Sequence, residues 1–120
     1  MAATLTVTKQ STHQMRLTRL AWTSHTDGVV TGLTAVLPPG WIHQVGIAPG
    51  TSSVQPTNAY NLTLLDEDGI DLLRGEGVVL SNTVGKMVML GDIWFNGGTV
   101  APSVTGAGSG KSGVLVIVAF

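Results

Sequence analysis

Along this chain, apolar residues recur at every second position in short runs, and the runs are broken by Gly, Pro and Asn. No stretch sustains a 3.6-residue period, so the pattern predicts strands throughout. "TLTVT" alternates cleanly, with Leu5 and Val7 on one face and Thr4, Thr6 and Thr8 on the other, as in a half-buried strand. "QMRLTRLAW" starts with Met15 and Leu17 inward, but Leu20 and Trp22 fall on the side of Arg16 and Thr18. Such a change of parity predicts a β-bulge within this strand, or a strand passing from one sheet to another.

Turn signals separate the remaining runs. Asp27-Gly28 is expected to close a hairpin between the strand ending near Trp22 and one beginning at Val29. Pro38-Pro39-Gly40 is a rigid turn leading into "WIHQVGIAP", a further strand, and Pro49 to Ala59 is the longest polar loop. In "YNLTLLDEDGIDLL", Tyr60, Leu62 and Leu64 share one face, whereas "GEGVVLSNTVG" carries no clear period. "KMVMLGDIWFNGGTVAPSVT" reads as a strand or buried segment followed by a hairpin whose turn is Asn96-Gly97-Gly98. The run from Val114 to Phe120 is apolar at consecutive positions, which predicts a strand covered on both faces. These segments define an all-β chain, expected as a single domain over 1–120: a β-sandwich or barrel of roughly seven to nine short, mostly antiparallel strands.

Composition alters this picture by what it lacks. The chain is 43% hydrophobic and only 11% charged, against about 25% charged in ordinary soluble domains. Neutral, partly apolar surface of that kind is covered by other protein in most folds that expose it, so an assembled protein is expected. Net charge is −1, and the basic residues Lys9, Arg16, Arg19, Arg74, Lys86 and Lys111 are scattered, so no nucleic acid or anionic membrane is expected as a partner. There is no cysteine, which excludes disulfides and thiolate chemistry. "MAATLTVTKQ" has no basic stretch followed by an apolar core, and no apolar run approaches the ~20 residues of a membrane span.

Candidate chemistry is sparse. "TGAGSGKS" imitates a phosphate-binding loop, yet Thr105 stands where the first Gly belongs, and glycine followed by apolar, largely β-branched residues comes where a helix must open. Lys111 is therefore read as the hydrated residue of a turn. "LDEDGID" gathers Asp66, Glu67, Asp68 and Asp71, four of the seven acids. Gly69 follows the second Asp directly and no spaced Glu completes a calcium loop, so this is an acidic turn. His13, His25 and His43 have no metal-ligand spacing, no Gly-x-Ser-x-Gly elbow occurs, and an enzyme is not expected. No catalytic residue, cofactor or metal ligand is assigned. Trp22, Trp41 and Trp94 are candidates for a sugar-binding face or for core and interface anchors, with Trp22 and Trp94, on patterned strands, expected in the core.

Pro56 to Thr83, "PTNAYNLTLLDEDGIDLLRGEGVVLSNT", resembles a recurring segment of small structural proteins of tailed bacteriophages. Those show Pro-Thr-Asp/Asn-x-Tyr-Asp/Asn-hydrophobic-Thr-hydrophobic followed by Asp-Glu-Asp-Gly-hydrophobic-Asp. "AWTS" at Ala21 to Ser24, the "GTSSVQPT" loop and the Lys-Ser-Gly entry into an apolar last strand are similar as well. The resemblance implies a virion component, foremost a capsid decoration (cement) protein on the outer surface of the head, assembled in the host cytoplasm, with the major capsid protein as partner. A neck or tail component and a β-sandwich carbohydrate-binding adhesion module are the alternatives. Shell lattices offer three-fold junctions, so a homotrimer is expected. The resemblance transfers a class and no functional residues.

Overall fold

The computed structural model describes residues 2–12 and 14–120. Among them are eight strands: β1 (Thr4–Thr12), β2 (Met15–Thr23), β3 (Ala35–Leu37), β4 (Gly40–Pro49), β5 (Asn61–Leu65), β6 (Lys86–Phe95), β7 (Gly98–Thr105) and β8 (Ser112–Ala119). One sheet has the order β1-β2-β8-β4-β6 and the other β3-β7-β5, with every pairing antiparallel. The fold is thus the expected all-β sandwich-like architecture. After the β1–β2 hairpin, successive strands alternate strictly between the two sheets, so the chain coils around its core.

That coiling corrects two expected hairpins. The Asp27-Gly28 turn forms, with Gly28 N–H donating to the His25 carbonyl at 2.9 Å, but Val30 then bridges to Val104 of the opposite sheet. Asn96-Gly97-Gly98 also turns, with Gly97 and Gly98 at φ 87° and 127°, yet it joins β6 of the larger sheet to β7 of the smaller. Both are sandwich corners: local turn chemistry reverses the chain without specifying which sheet receives it.

The parity change expected in β2 is absent. Its register with β1 and β8 runs unbroken, and Thr18, Leu20 and Trp22 all face inward. Thr18 is the reason: it is only 5% exposed and takes a core position that reads as polar. Arg16, on the same face, closes the open end of the core by donating from Nη2 to the carbonyls of Pro39 (2.8 Å) and Phe120 (3.4 Å). The bulge lies instead in β4, where the register steps from Ile42 to Gln44 against both neighbours. His43 is the extra residue there, and β6 answers with Gly91 and Asp92 at φ 68° and 64°.

Between the sheets, Leu20, Trp22, Val45 and Ile117 pack against Tyr60, Leu62, Leu64 and Val104. Tyr60, Leu62 and Leu64 share the inward face as the alternation predicts. The "GEGVVLSNTVG" segment is a loop tied down at Leu80, whose N–H donates to the Tyr60 carbonyl at 2.8 Å and whose carbonyl accepts from the Ala59 N–H at 2.9 Å. β8 occupies the middle of the larger sheet, between β2 and β4. Its inner face is fully buried at Leu115 and Ile117; on the other face Val118 is buried but Val114 and Val116 are only half-buried, so the expected cover on both sides is met in part. β1 is an edge strand, and Val7 is 38% exposed because the three-stranded sheet is too narrow to reach it.

Candidate functional site

The lysine loop is a strand connector built around a buried serine. Ser24 is fully buried; its hydroxyl donates to the Gly108 carbonyl at 2.6 Å and accepts from the Lys111 N–H at 2.9 Å. Gly106, Gly108 and Gly110 all take positive φ, and β8 follows at Ser112 where a phosphate loop requires a helix. The Lys111 ammonium donates to the Ser53 carbonyl at 3.0 Å, so it fastens two loops together.

Three of the four acids of the "LDEDGID" segment are spent on backbone. Asp66 Oδ1 accepts from the N–H groups of Asp68 and Ile70, each at 2.9 Å, and Gly69 turns the chain at φ 79°. Asp71 accepts from Leu64 and Leu73 through Oδ1 and from Gly75 through Oδ2, all at 3.0 Å. Glu67 Oε1 accepts from the Thr99 N–H at 2.9 Å and ties this turn to β7. Among the described residues, no three His, Cys, Asp or Glu side chains converge on a point where a metal ion could sit. An open cleft of about 490 Å³ lies beside the turn, lined by Asp66, Glu67, Asp68, Trp94 and Asn96.

The histidines are dispersed. His13 lies outside the described residues, His25 contacts Asp27 at 3.3 Å, and His43 Nδ1 meets Asp92 Oδ1 at 2.8 Å. The tryptophans divide differently from expectation. Trp22 is 1% exposed and lies tilted against Tyr60, with ring centroids 5.9 Å apart. Trp94 is 53% exposed, a correction, because Ile93 and Phe95 take the inward positions beyond the β6 bulge. It pairs across the strands with Trp41 edge to face at 5.1 Å, and its Nε1–H donates to Asn96 Oδ1 at 3.0 Å.

These two rings belong to a larger surface. On the outward face of the five-stranded sheet, residues in register form rows across the strands. One row is Thr8, Arg19, Val116, Gly46 and Met87; the next is Gln10, Leu17, Val118, Gln44 and Met89. A third holds Thr6, Ala21, Val114 and Ala48. Across β2, β8, β4 and β6 these rows are apolar except for Arg19 and Gln44. Met87 and Met89 are 52% and 56% exposed, and Met87 lies over the gap that Gly46 leaves between β6 and β8. Trp41, Trp94 and Phe120 extend the same face past the bulge.

A solvent-facing sheet surface ordinarily alternates to polar residues. Here apolar side chains occupy both faces, as they do where a second layer of protein covers the sheet. Sequence reading assigned no residues to this face, although two signals for it were present: the unalternating run of β8, and methionines at the outward positions 87 and 89 of a strand whose inward positions are Val88 and Leu90.

Tyr60 has its pKa raised above the ordinary value of 10.0 by burial. It lies in the core between the sheets. No helix among the described residues is long and apolar enough to cross a membrane. No protein-family model matches the chain, and no curated protein matches its sequence.

Proposed function

We propose that this chain is a structural protein of a tailed-phage virion, a capsid decoration protein that binds the outside of the head as a symmetric homo-oligomer and stabilises the shell. The observation that carries a surface-burying role is the apolar outward face of the five-stranded sheet, with Met87, Met89 and Val116 open to solvent or half so. Assignment to a phage head rests on the resemblance across Pro56 to Thr83, with the major capsid protein as the partner. Binding to the assembled shell alone stabilises that shell by about 2.7 kcal/mol per site at a concentration 100 times the dissociation constant. Particles lacking the protein then release DNA at lower temperature than complete ones, and adding it back restores them. Equal robustness of stripped particles, with the protein found only on the tail, moves the assignment to the neck or tail.

One observation favours a second reading, carbohydrate binding. Trp41 and Trp94 form a half-exposed aromatic pair, with Asp92 and Asn96 beside it as hydrogen-bonding groups. Stacking of a sugar on these rings predicts a change in tryptophan fluorescence on titration with bacterial polysaccharide, abolished by Trp94→Ala. An unchanged spectrum eliminates this reading.

A further inference from the structure

We infer that the outward face of the five-stranded sheet is a contact between two copies of this chain, packed face to face about a two-fold axis parallel to β8. The inference rests on the self-association in the preceding reading and assigns this face to a second copy, so that contact with a shell falls to the remaining surface of the pair.

Area is the first argument. Five strands about 4.8 Å apart, each about eight residues long at ~3.3 Å per residue, present a face of roughly 24 by 26 Å, on the order of 600 Å² in projection. Side-chain relief raises the accessible area above that figure, so a face-to-face pair buries on the order of 1,200 Å² or more, within the range of stable interfaces. Aligned sheets pack this way at a separation of ~10 Å, the geometry by which a sandwich forms its own core.

Complementarity is the second. An axis parallel to β8 keeps each row at its own level and exchanges the two sides of the sheet. β2 then lies over β4 of the second copy, and β1 over β6. Val116 meets Val116, and Val118 meets Val118, at the centre. The long Arg19 side chain falls on Gly46, the smallest residue of its row, with the Gln44 amide alongside rather than a second guanidinium. The bulky Met87 and Met89 of one copy come to lie over Thr8 and Gln10 on β1 of the other. Away from the axis, the larger side chains of the Arg19 and Leu17 rows thus oppose small or polar ones, and the only cation of these rows avoids its own image. A two-fold pair covers the central Val116 of both copies in one self-complementary contact, so the pair, in place of the expected trimer, is the unit of association inferred.

Sedimentation equilibrium of the isolated protein tests this without phage particles. The expected result is a species of twice the 12.4 kDa chain mass. Met89→Glu, at a position 56% exposed in the single chain, and Val116→Lys should each yield monomers with an unchanged near-ultraviolet dichroism spectrum. Val36→Glu, on the opposite sheet and 59% exposed, should remain dimeric. A wild-type monomer at about 100 μM, a trimer, or a dimer that survives both face substitutions overturns the inference. Because the measurement uses isolated protein, each of these outcomes leaves the particle-stability test of shell binding standing on its own.

Discussion

His43 Nδ1 and Asp92 Oδ1 are 2.8 Å apart where the irregularities of β4 and β6 face each other, and this contact joins the two strands across the break in their ladder. Asp92 holds φ 64°, a conformation that costs aspartate little and β-branched residues more. Asp92→Val should therefore lower stability by about 1–3 kcal/mol. Asp92→Gly, which relieves the backbone and loses only an exposed pair, should change it by less than about 1 kcal/mol. Urea denaturation of the two variants provides the comparison; equal losses would mean that the pair, and not the backbone, holds the bulge.

Ser24 and Lys111 should rank opposite to the order that a phosphate loop demands. Removing the Ser24 hydroxyl strands a buried N–H and a carbonyl, so Ser24→Ala should cost about 2–3 kcal/mol. Lys111→Ala removes one side-chain bond at the loop surface and should cost less than about 1 kcal/mol. Thermal denaturation distinguishes them, and tight Mg²⁺-dependent ATP binding lost in Lys111→Ala would contradict the connector role.

Tyr60 brings its hydroxyl into the core, where it has no hydrogen-bond partner among the described residues, as is also true of Trp22 Nε1. Tyr60→Phe removes that unmet polar group and should leave stability unchanged or raise it by up to about 1–2 kcal/mol. The raised pKa adds a pH signature. Above pH ~10 the unfolded phenol gives up its proton while the folded one retains it, so wild-type stability falls with rising pH. The Tyr60→Phe protein should lose this part of the alkaline slope; identical slopes would place the titration elsewhere.

Gly113 lies directly beneath the Trp22 indole, and a methyl group there would come within 3.0 Å of the ring and of the Ala48 carbonyl. Gly113→Ala should thus cost about 1–3 kcal/mol, the range of an overpacked core. At Gly46 an added methyl meets only ordinary contacts with Met87 and Val116, and Gly46→Ala should be tolerated. If chemical denaturation finds the two equivalent, the indole does not press on β8.

Strand positions were legible wherever one residue type matched one environment, as in "YNLTLL", whose Tyr60, Leu62 and Leu64 are all buried. Thr18 was misread because its methyl and hydroxyl suit either side of a sheet, and one such residue shifted the apparent parity of β2. Val7 alternates like a core residue, but whether it is covered depends on the width of a sheet formed by residues 35–105. Trp94 was assigned inward because the bulge at Gly91 and Asp92, which resets the phase of β6, has no local signature beyond a glycine. The outward face was only partly legible, through the unalternating run of β8 and the methionines of β6, because each strand contributes only two or three of its residues and register alone brings them together.

The central place of β8 carries a consequence for biosynthesis. β2 and β4 have no contact partner on their shared side until this strand lies between them, and the inward residues Leu115 and Ile117 supply the middle of the core. During synthesis, every strand from β2 to β7 leaves the ribosome before the element that unites the larger sheet. At about 5–20 residues per second the ~90 residues from β2 to β8 take several seconds, during which open strand edges and apolar surface are available to neighbouring chains. Closing the sheet then requires pairing across the length of the sequence, which is slow for sandwich topologies. Heavily crowded polysomes should therefore favour exchange of β8 between nascent copies, and slowed translation just before Ser112 should lower the soluble yield by prolonging that exposure.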